Sequence, residues 1–490
     1  VLAPVAGQPF FARLPGVTAD GFFMDDMSKN KPMSATVHPA QGGLREMITL
    51  ALPMVISQGC ETALIFTDRV FLSRLGPVPM SAAMAGGLTA FMMMTFFIGL
   101  TGYVTALAAQ YLGAGRQEGC ALVVSQATLL AVLAAPLILA ARPLAHAYFQ
   151  FMHLPAQQMA QQRIYFDILL YGAILVLLRT TLSSFFSGVG RTRVVMFSAM
   201  TAMVVNIGAN YVLIFGKLGL PALGLRGAAY GTLLGSFCGL LVLLATYLGR
   251  DNRHEYDVLA ALRFDRAVMA KLLRYGSPAG VELFLNLLAF TSMIMIFHGH
   301  GSVTAAAVTI VFNWDLVSFV PLIGIQIGVV SLVGRYMGAG RTDIAERATR
   351  SGLKMACSYS LVILVLFVSL PGHLVAVFEP RQADVIFTQA APLATSMLRL
   401  AAFYVLADAV IVVFSGALRG AGDTFWAMCA SVTLHWLLVP VLAVFLNVLA
   451  LPPLAAWLAL VVFILIFSGV FYLRYRSGKW KTLAVVGDGS

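Results

Sequence analysis

Six carboxylates stand inside long apolar stretches of this sequence: Glu61, Asp68, Asp167, Glu282, Asp315 and Asp408. A charge at the centre of a bilayer costs about 2.5–3.5 kcal/mol even on the lenient insertion scale, so such side chains are expected to face a cavity or a partner. Glu61 and Asp68 are seven residues apart, two helical turns, and share one face. Asn206 and Asn210, four apart, present two amide oxygens on another face, and Thr232 offers a further oxygen. Sodium would need several such oxygens held together, whereas a proton needs only one desolvated carboxylate. Hydrogen bonds that join helices would account for the same asparagines. Arg69, beside Asp68 in the chain, points about 100° away on a helix and is not expected to pair with it.

In the second half Glu282 and Asn286 are one turn apart, as are Tyr404 and Asp408, so each pair lays two polar groups on one stripe. Asp408, Glu282 and Asn286 therefore join Asp68, Asn206, Asn210 and Thr232 as cation-binding candidates, while Glu61, Tyr404 and Asp315 are expected to line a substrate cavity. Asp315 follows Asn313 and Trp314 and could equally be a structural partner of Arg179 or Arg399, the two bases inside apolar runs. An internal ion pair, or snorkelling to the interface, explains both arginines. Met92, Met93 and Met94 with Phe96 and Phe97 could form an adaptable wall for flat lipophilic molecules, and lipid-facing packing explains them as well. His435 reads as a hydrogen-bonded core residue, and His298 and His300 fall in a short loop. The five cysteines lie in separate helices without paired spacing, which fits small core residues and neither disulfides nor a metal site. No phosphate-cradling glycine loop and no nucleophile elbow occurs, so the chain is not read as an enzyme and no cofactor beyond a coupling ion is expected.

The elements that must position these groups follow from composition. Hydrophobic residues make up 60% and charged residues 11%, against about 25% charged in an ordinary soluble domain. Mean hydropathy is +0.87, and the class is an integral membrane protein. Apolar runs predict twelve helices over roughly 48–72, 82–110, 120–145, 163–187, 193–216, 226–249, 274–298, 304–333, 351–378, 389–417, 425–448 and 453–474.

The chain also repeats itself at an offset of 225 residues: Pro53 and Pro278, Gly76 and Gly301, Tyr111 and Tyr336, and Gly-Ala-Gly-Arg at 113–116 and 338–341. The offset drifts to 232 for Gly188 and Gly420 and returns to 225 at Tyr247 and Tyr472, as small loop insertions would produce. Six helices per copy leave both copies in one orientation, so the expected fold is all-α, twelve transmembrane helices in two six-helix lobes related by a pseudo-twofold axis along the membrane normal. The expected domains are a disordered arm over 1–44, an N-lobe over 45–250, a polar inter-lobe linker over 251–273, a C-lobe over 274–475 and a tail over 476–490. Residues 1–40 carry no signal-peptide apolar core, and Met24, Met27 and Met33 leave room for a natural start within them. The arm, tail and even-numbered loops hold 22 basic residues and the odd-numbered loops seven, which places both termini in the cytoplasm. The net charge of +11 is then a topology signal with an attraction to anionic membrane lipid, not to nucleic acid.

At these positions the sequence resembles the multidrug and toxic compound extrusion (MATE) family, in its NorM-like or DinF-like bacterial branch. The resemblance covers about residues 45–475 and rests on Leu-Ala-Leu-Pro at 50–53 with Asp68 fifteen residues past the proline, Gln110 to Gly115, Asn206 to Gly216, Gly224 to Thr232, Asp408 to Val410, and Leu418 to Thr424. It implies two six-helix lobes in a bacterial inner membrane and export of small cationic lipophilic substrates against inward Na+ or H+, by a protein expected to be a monomer. It also implies that Asp68 is the family's first-helix aspartate, with Asn206, Asn210 and Thr232 beside it in an N-lobe cation site that could take Na+, and that Asp408 is the helix 10 acid of NorM-like members. Two positions depart from that pattern: Asn210 stands where some members have an aspartate, and Asn286 where NorM-like members have a glutamate, with Glu282 one turn earlier. A flippase or exporter of lipid-linked substrates with the same wider fold is the alternative, and it would need a basic cavity. Alternating access, with cation and drug competing for central carboxylates, is the expected mechanism.

Overall fold

The computed structural model describes residues 41–152, 155–380, 384–483 and 485–486. Of the arm expected over 1–44, all but residues 41–44 lies outside these. No strand occurs among the described residues, in keeping with a bilayer that offers no partner for an open backbone. The first half runs α1 Leu44–Ser73, α2 Pro77–Gly102, α3 Val104–Gly113, α4 Gln117–Ala140, α5 Arg142–Phe151, α6 Ala156–Tyr171, α7 Ala173–Gly188, α8 Thr192–Phe215 and α9 Leu225–Tyr247. A short α10, Arg250–Tyr256, leads to the second half: α11 Arg266–Gly299, α12 Ser302–Gly338, α13 Thr342–Ser369, α14 Pro371–Ala376, α15 Val385–Ala421, α16 Thr424–Ala443 and α17 Pro453–Arg476. Eleven stretches among the described residues are long and apolar enough to cross a membrane, and α6 with α7 make a twelfth.

Several helices outrun their apolar windows. The run expected over 82–110 becomes Pro77–Gly113 and that over 389–417 becomes Val385–Ala421, because a helix continues into polar flanks where hydropathy has already fallen. The single helix expected over 163–187 is a pair, α6 and α7, bent by 46°. The break falls at Gly172, where a Cβ would lie 2.0 Å from a Leu233 methyl. Glycine permits that approach to α9 and weakens the helix at the same point.

The repeated glycines have a backbone reason. Gly76 and Gly301 adopt φ of 118° and 117°, and Gly115 and Gly340 adopt 74° and 69°, conformations that L side chains rarely take. Each ends one helix and sets the direction of the next, so the same turns recur in both halves.

The lobes meet at the end of the molecule where α1 and α11 begin. Cβ atoms on Gly99 and Gly280 would each collide with the backbone of the opposite helix, and Gly324 stands in the same relation to Val55. Gly113 abuts the Arg335 carbonyl while Gly338 abuts that of Gln110. These are repeat-equivalent pairs, so the interface maps onto itself under the pseudo-twofold axis. The side chains follow suit, with Gln110 Nε2 donating to the Gly420 carbonyl at 2.7 Å and Arg335 Nη2 to that of Val189 at 3.1 Å. The linker is more structured than its polar composition suggests. Tyr256, Val258 and Ala261 are buried in the N-lobe core, and Gln126 bonds the Arg263 carbonyl at 2.8 Å and the Asp265 amide at 3.2 Å.

Candidate functional site

The α1, α8 and α9 helices bring Asp68, Asn206, Asn210 and Thr232 into one buried group. Asp68 is 8% exposed, and both asparagines are fully buried. Asn210 Nδ2 donates to Asp68 Oδ1 and also to Asn206 Oδ1 at 3.2 Å. Asn206 Nδ2 lies 3.4 Å from Thr232 Oγ1, and Thr232 Oγ1 lies 3.4 Å from Asp68 Oδ2. One turn of spacing puts Asn206 and Asn210 on a single face, and Gly231 lets α9 come close: a Cβ there would sit 1.9 Å from Asn210 Oδ1. Among the described residues that oxygen has no hydrogen-bond partner, which a buried amide normally finds. Arg69 is exposed and turned away. Tyr165 of α6 is buried beside this group, within electrostatic reach of Asp68. It was not among the sequence candidates, because a lone tyrosine in an apolar helix carries no spacing signal.

Chemically, the group is one carboxylate ringed by neutral oxygens. Among the described residues no three His, Cys, Asp or Glu side chains gather as a transition-metal site would require. A single negative charge matches a single positive one, Na+ or H+. In the arrangement seen, N–H and O–H donors point at Asp68 and satisfy its charge. Sodium would require Asn210 to turn its amide so that Oδ1 faces inward, and O and N of an amide exchange by a simple flip.

The second-half candidates separate into two groups. Tyr404 Oη of α15 donates to Asp315 Oδ1 of α12 at 3.0 Å, and Asp315 and Asp408 interact electrostatically. These three form one cluster. Glu282 of α11 instead forms an ion pair with Arg419 at 2.8 Å, with 4% of its side chain exposed. Arg419 is eleven residues from Asp408 on the same helix, about 16 Å along the axis, so Glu282 is not gathered with Asp408. Asn286 Nδ2 donates to Ser431 Oγ at 2.8 Å, and His435 Nδ1 contacts the Ser431 carbonyl at 2.8 Å. Glu282, Asn286 and His435 thus share the α11–α16 boundary.

Glu61 pairs with Arg179 of α7, so Arg179 is occupied there and not at Asp315. Arg399 is exposed. Asp167 is held by Arg142 at 2.5 Å and His146 at 2.9 Å, a local tie between α5 and α6.

Comparison with known proteins agrees with this architecture. The MatE family profile matches residues 53–212 and 278–445, two blocks that start at the repeated prolines and together cover more than half of the chain. The chain is 30% identical over 399 residues, 80% of its length and 84% of the relative's, to "Probable multidrug resistance protein NorM" of Shewanella oneidensis. It is 26% identical over 447 residues, 90% and 94% of the two lengths, to the protein of the same name in Thermotoga maritima. Among solved structures, a multidrug resistance MATE family transporter in an outward-facing conformation superposes with a TM-score of 0.82 at 20% identity, covering 90% of this chain and 97% of that one. A MOP superfamily transporter from Pyrococcus furiosus gives the same TM-score and identity over the same shares. A duplicated six-helix unit, MatE matches to both copies and a two-lobed fold shared along nearly its whole length make this chain a member of the MATE family of membrane transporters.

Proposed function

We propose that the protein is a secondary active exporter of cationic lipophilic compounds in the bacterial plasma membrane, driven by inward Na+ or H+. The observation that carries this reading is the buried group around Asp68: one desolvated carboxylate with neutral oxygens and an unpartnered amide oxygen, inside one of two repeated lobes. With both termini in the cytoplasm, the end at which the glycine contacts join the lobes would be the inner one. An entering cation that neutralises Asp68 changes what the α1–α8–α9 packing must accommodate and so biases one arrangement over the other. Drug and ion then compete for central carboxylates, and binding of one favours release of the other. The relatives named multidrug resistance proteins support the drug side of this reading. A lipid-linked substrate is disfavoured, because Arg179 is already neutralised by Glu61.

The test is efflux of a cationic dye from proteoliposomes under a sodium or a proton gradient. Asp68→Asn is expected to lower gradient-driven efflux at least tenfold, and Asp408→Asn to weaken it further. Intact efflux in both variants would overturn the scheme.

A further inference from the structure

Away from the Asp68 group, the start of α13 meets the ends of α15 and α17 beside the turn Lys479–Thr482. A cavity of about 260 Å3 opens there between Arg350 and Thr349 of α13, Tyr475 and Arg476 of α17, and Lys481. Its size is near the lower end of small-molecule pockets, about 300–1,000 Å3, and suits a headgroup. Three cations face it against one carboxylate, Glu346, which lies 3.3 Å from Lys481 and 3.9 Å from Arg350. Arg476 has no carboxylate partner among the described residues.

The cavity is built, not incidental. The turn Lys479–Thr482 is pinned by Trp480, which is fully buried, stacks on Tyr475 at 5.0 Å and donates Nε1 to the Tyr475 carbonyl at 2.9 Å. Lys481 is thereby held over the opening by its neighbour's burial. Phe414 and Tyr472 form the apolar part of the wall, and Tyr472 and Leu473 beside it are 43% and 63% exposed.

The internal repeat supplies a control. Ala121, Val124 and Ser125 stand where the second copy has Glu346, Thr349 and Arg350. In the first copy Ala121 and Val124 belong to a closed apolar cluster with Tyr247 and Tyr256, and Phe185 packs on both tyrosines at 5.1 and 5.3 Å. One scaffold position is therefore a filled core in one lobe and an open, basic pocket in the other.

We infer that this pocket binds a phosphate group at the membrane surface. Arg341 and Arg474 nearby are paired with Asp343 and Asp423, which leaves Arg350, Arg476 and Lys481 against Glu346 at the pocket, and basic pockets between spans suit anionic headgroups. Guanidinium pairs match phosphate oxygens geometrically. A ligand that bridges α13, α17 and the turn would stabilise the folded lobe by mass action.

The experiment uses the full chain in nanodiscs of phosphatidylcholine, with and without phosphatidylglycerol, and separately in detergent with inorganic phosphate. Thermal unfolding and lipid retention in native mass spectrometry are read for wild type, for Arg350→Gln with Arg476→Gln, and for a charge-matched control, Arg193→Gln with Arg253→Gln, elsewhere on the same membrane side. Phosphatidylglycerol is expected to raise Tm and remain bound in wild type and control, and to bind at least tenfold more weakly to the pocket variant. A saturable rise with inorganic phosphate, lost in the pocket variant, would identify free phosphate as the ligand. Should the pocket variant unfold in phosphatidylcholine alone, Lys481→Gln is read in its place. Equal losses in pocket variant and control, or no response to either probe, overturn the inference.

Discussion

Asp68 was identifiable because an acid in an apolar run has few benign explanations, and Asn206 and Asn210 because their spacing puts both on one face. What spacing could not reveal is the hydrogen-bond direction: donors, not acceptors, now point at the carboxylate. Gly231 was equally silent, since its role is to have no side chain. Gly231→Ala would place a methyl 1.9 Å from Asn210 Oδ1, and overpacking of this kind costs about 1–3 kcal/mol. The expected outcome is a loss of ion-driven dye efflux of at least tenfold, with a smaller fall in Tm. Gly208→Ala, on α8 beside Asn210 with nothing within 4 Å, is the control. It should leave efflux unchanged and hold or raise Tm, because alanine favours a helix by about 1 kcal/mol over glycine. Equal efflux in the two variants would remove Asn210 from the proposed ion site.

At the level of helices, hydropathy locates the spans but not their ends, bends or neighbours. Glu282 shows the consequence. Its place one turn before Asn286 suggested a cation ligand, whereas the tertiary fold brings Arg419 of α15 to it at 2.8 Å. A partner 137 residues away in the chain leaves no local trace. Removing one member of such a pair leaves the other uncompensated, which costs about 3–5 kcal/mol when both are buried. Arg419 remains 30% exposed, so the loss should be a fraction of that. Glu282→Gln is accordingly expected to lower Tm while efflux keeps its ion dependence, and Glu282→Gln with Arg419→Gln to recover part of the stability. Loss of ion dependence at unchanged Tm would instead make Glu282 a cation ligand. The bend at Gly172 and the buried Tyr256 of the connector teach the same lesson: a glycine or a polar stretch is punctuation in sequence, and packing decides what it does.

The whole molecule is a scaffold with twofold symmetry and chemistry without it. Glycine-mediated approaches between the lobes occur in equivalent pairs, yet Tyr336 Oη bonds Glu46 at 2.8 Å while its counterpart Tyr111 lies beneath Lys271 at 6.0 Å. One backbone framework thus closes the same end with a hydrogen bond on one side and a cation–π contact on the other. Closure itself depends on bare glycine: a Cβ on Gly113 would lie 1.8 Å from the Arg335 carbonyl oxygen. Gly113→Leu is expected to hold the lobes apart at this end, seen as a longer inter-lobe distance by spin-label spectroscopy, with efflux abolished and each lobe still helical. An unchanged distance distribution would show that the contact does not gate the lobes. By itself the sequence determined the membrane class, the helices, the duplication and the acids, because burial in lipid and helical period act over short stretches of chain. Only the tertiary structure decided which acids are joined, which are neutralised and how closely Asn206, Asn210 and Thr232 gather around Asp68. Those outcomes depend on side chains from distant segments arriving within hydrogen-bond reach, and in two copies of one backbone the same position can meet a partner in one lobe and open space in the other.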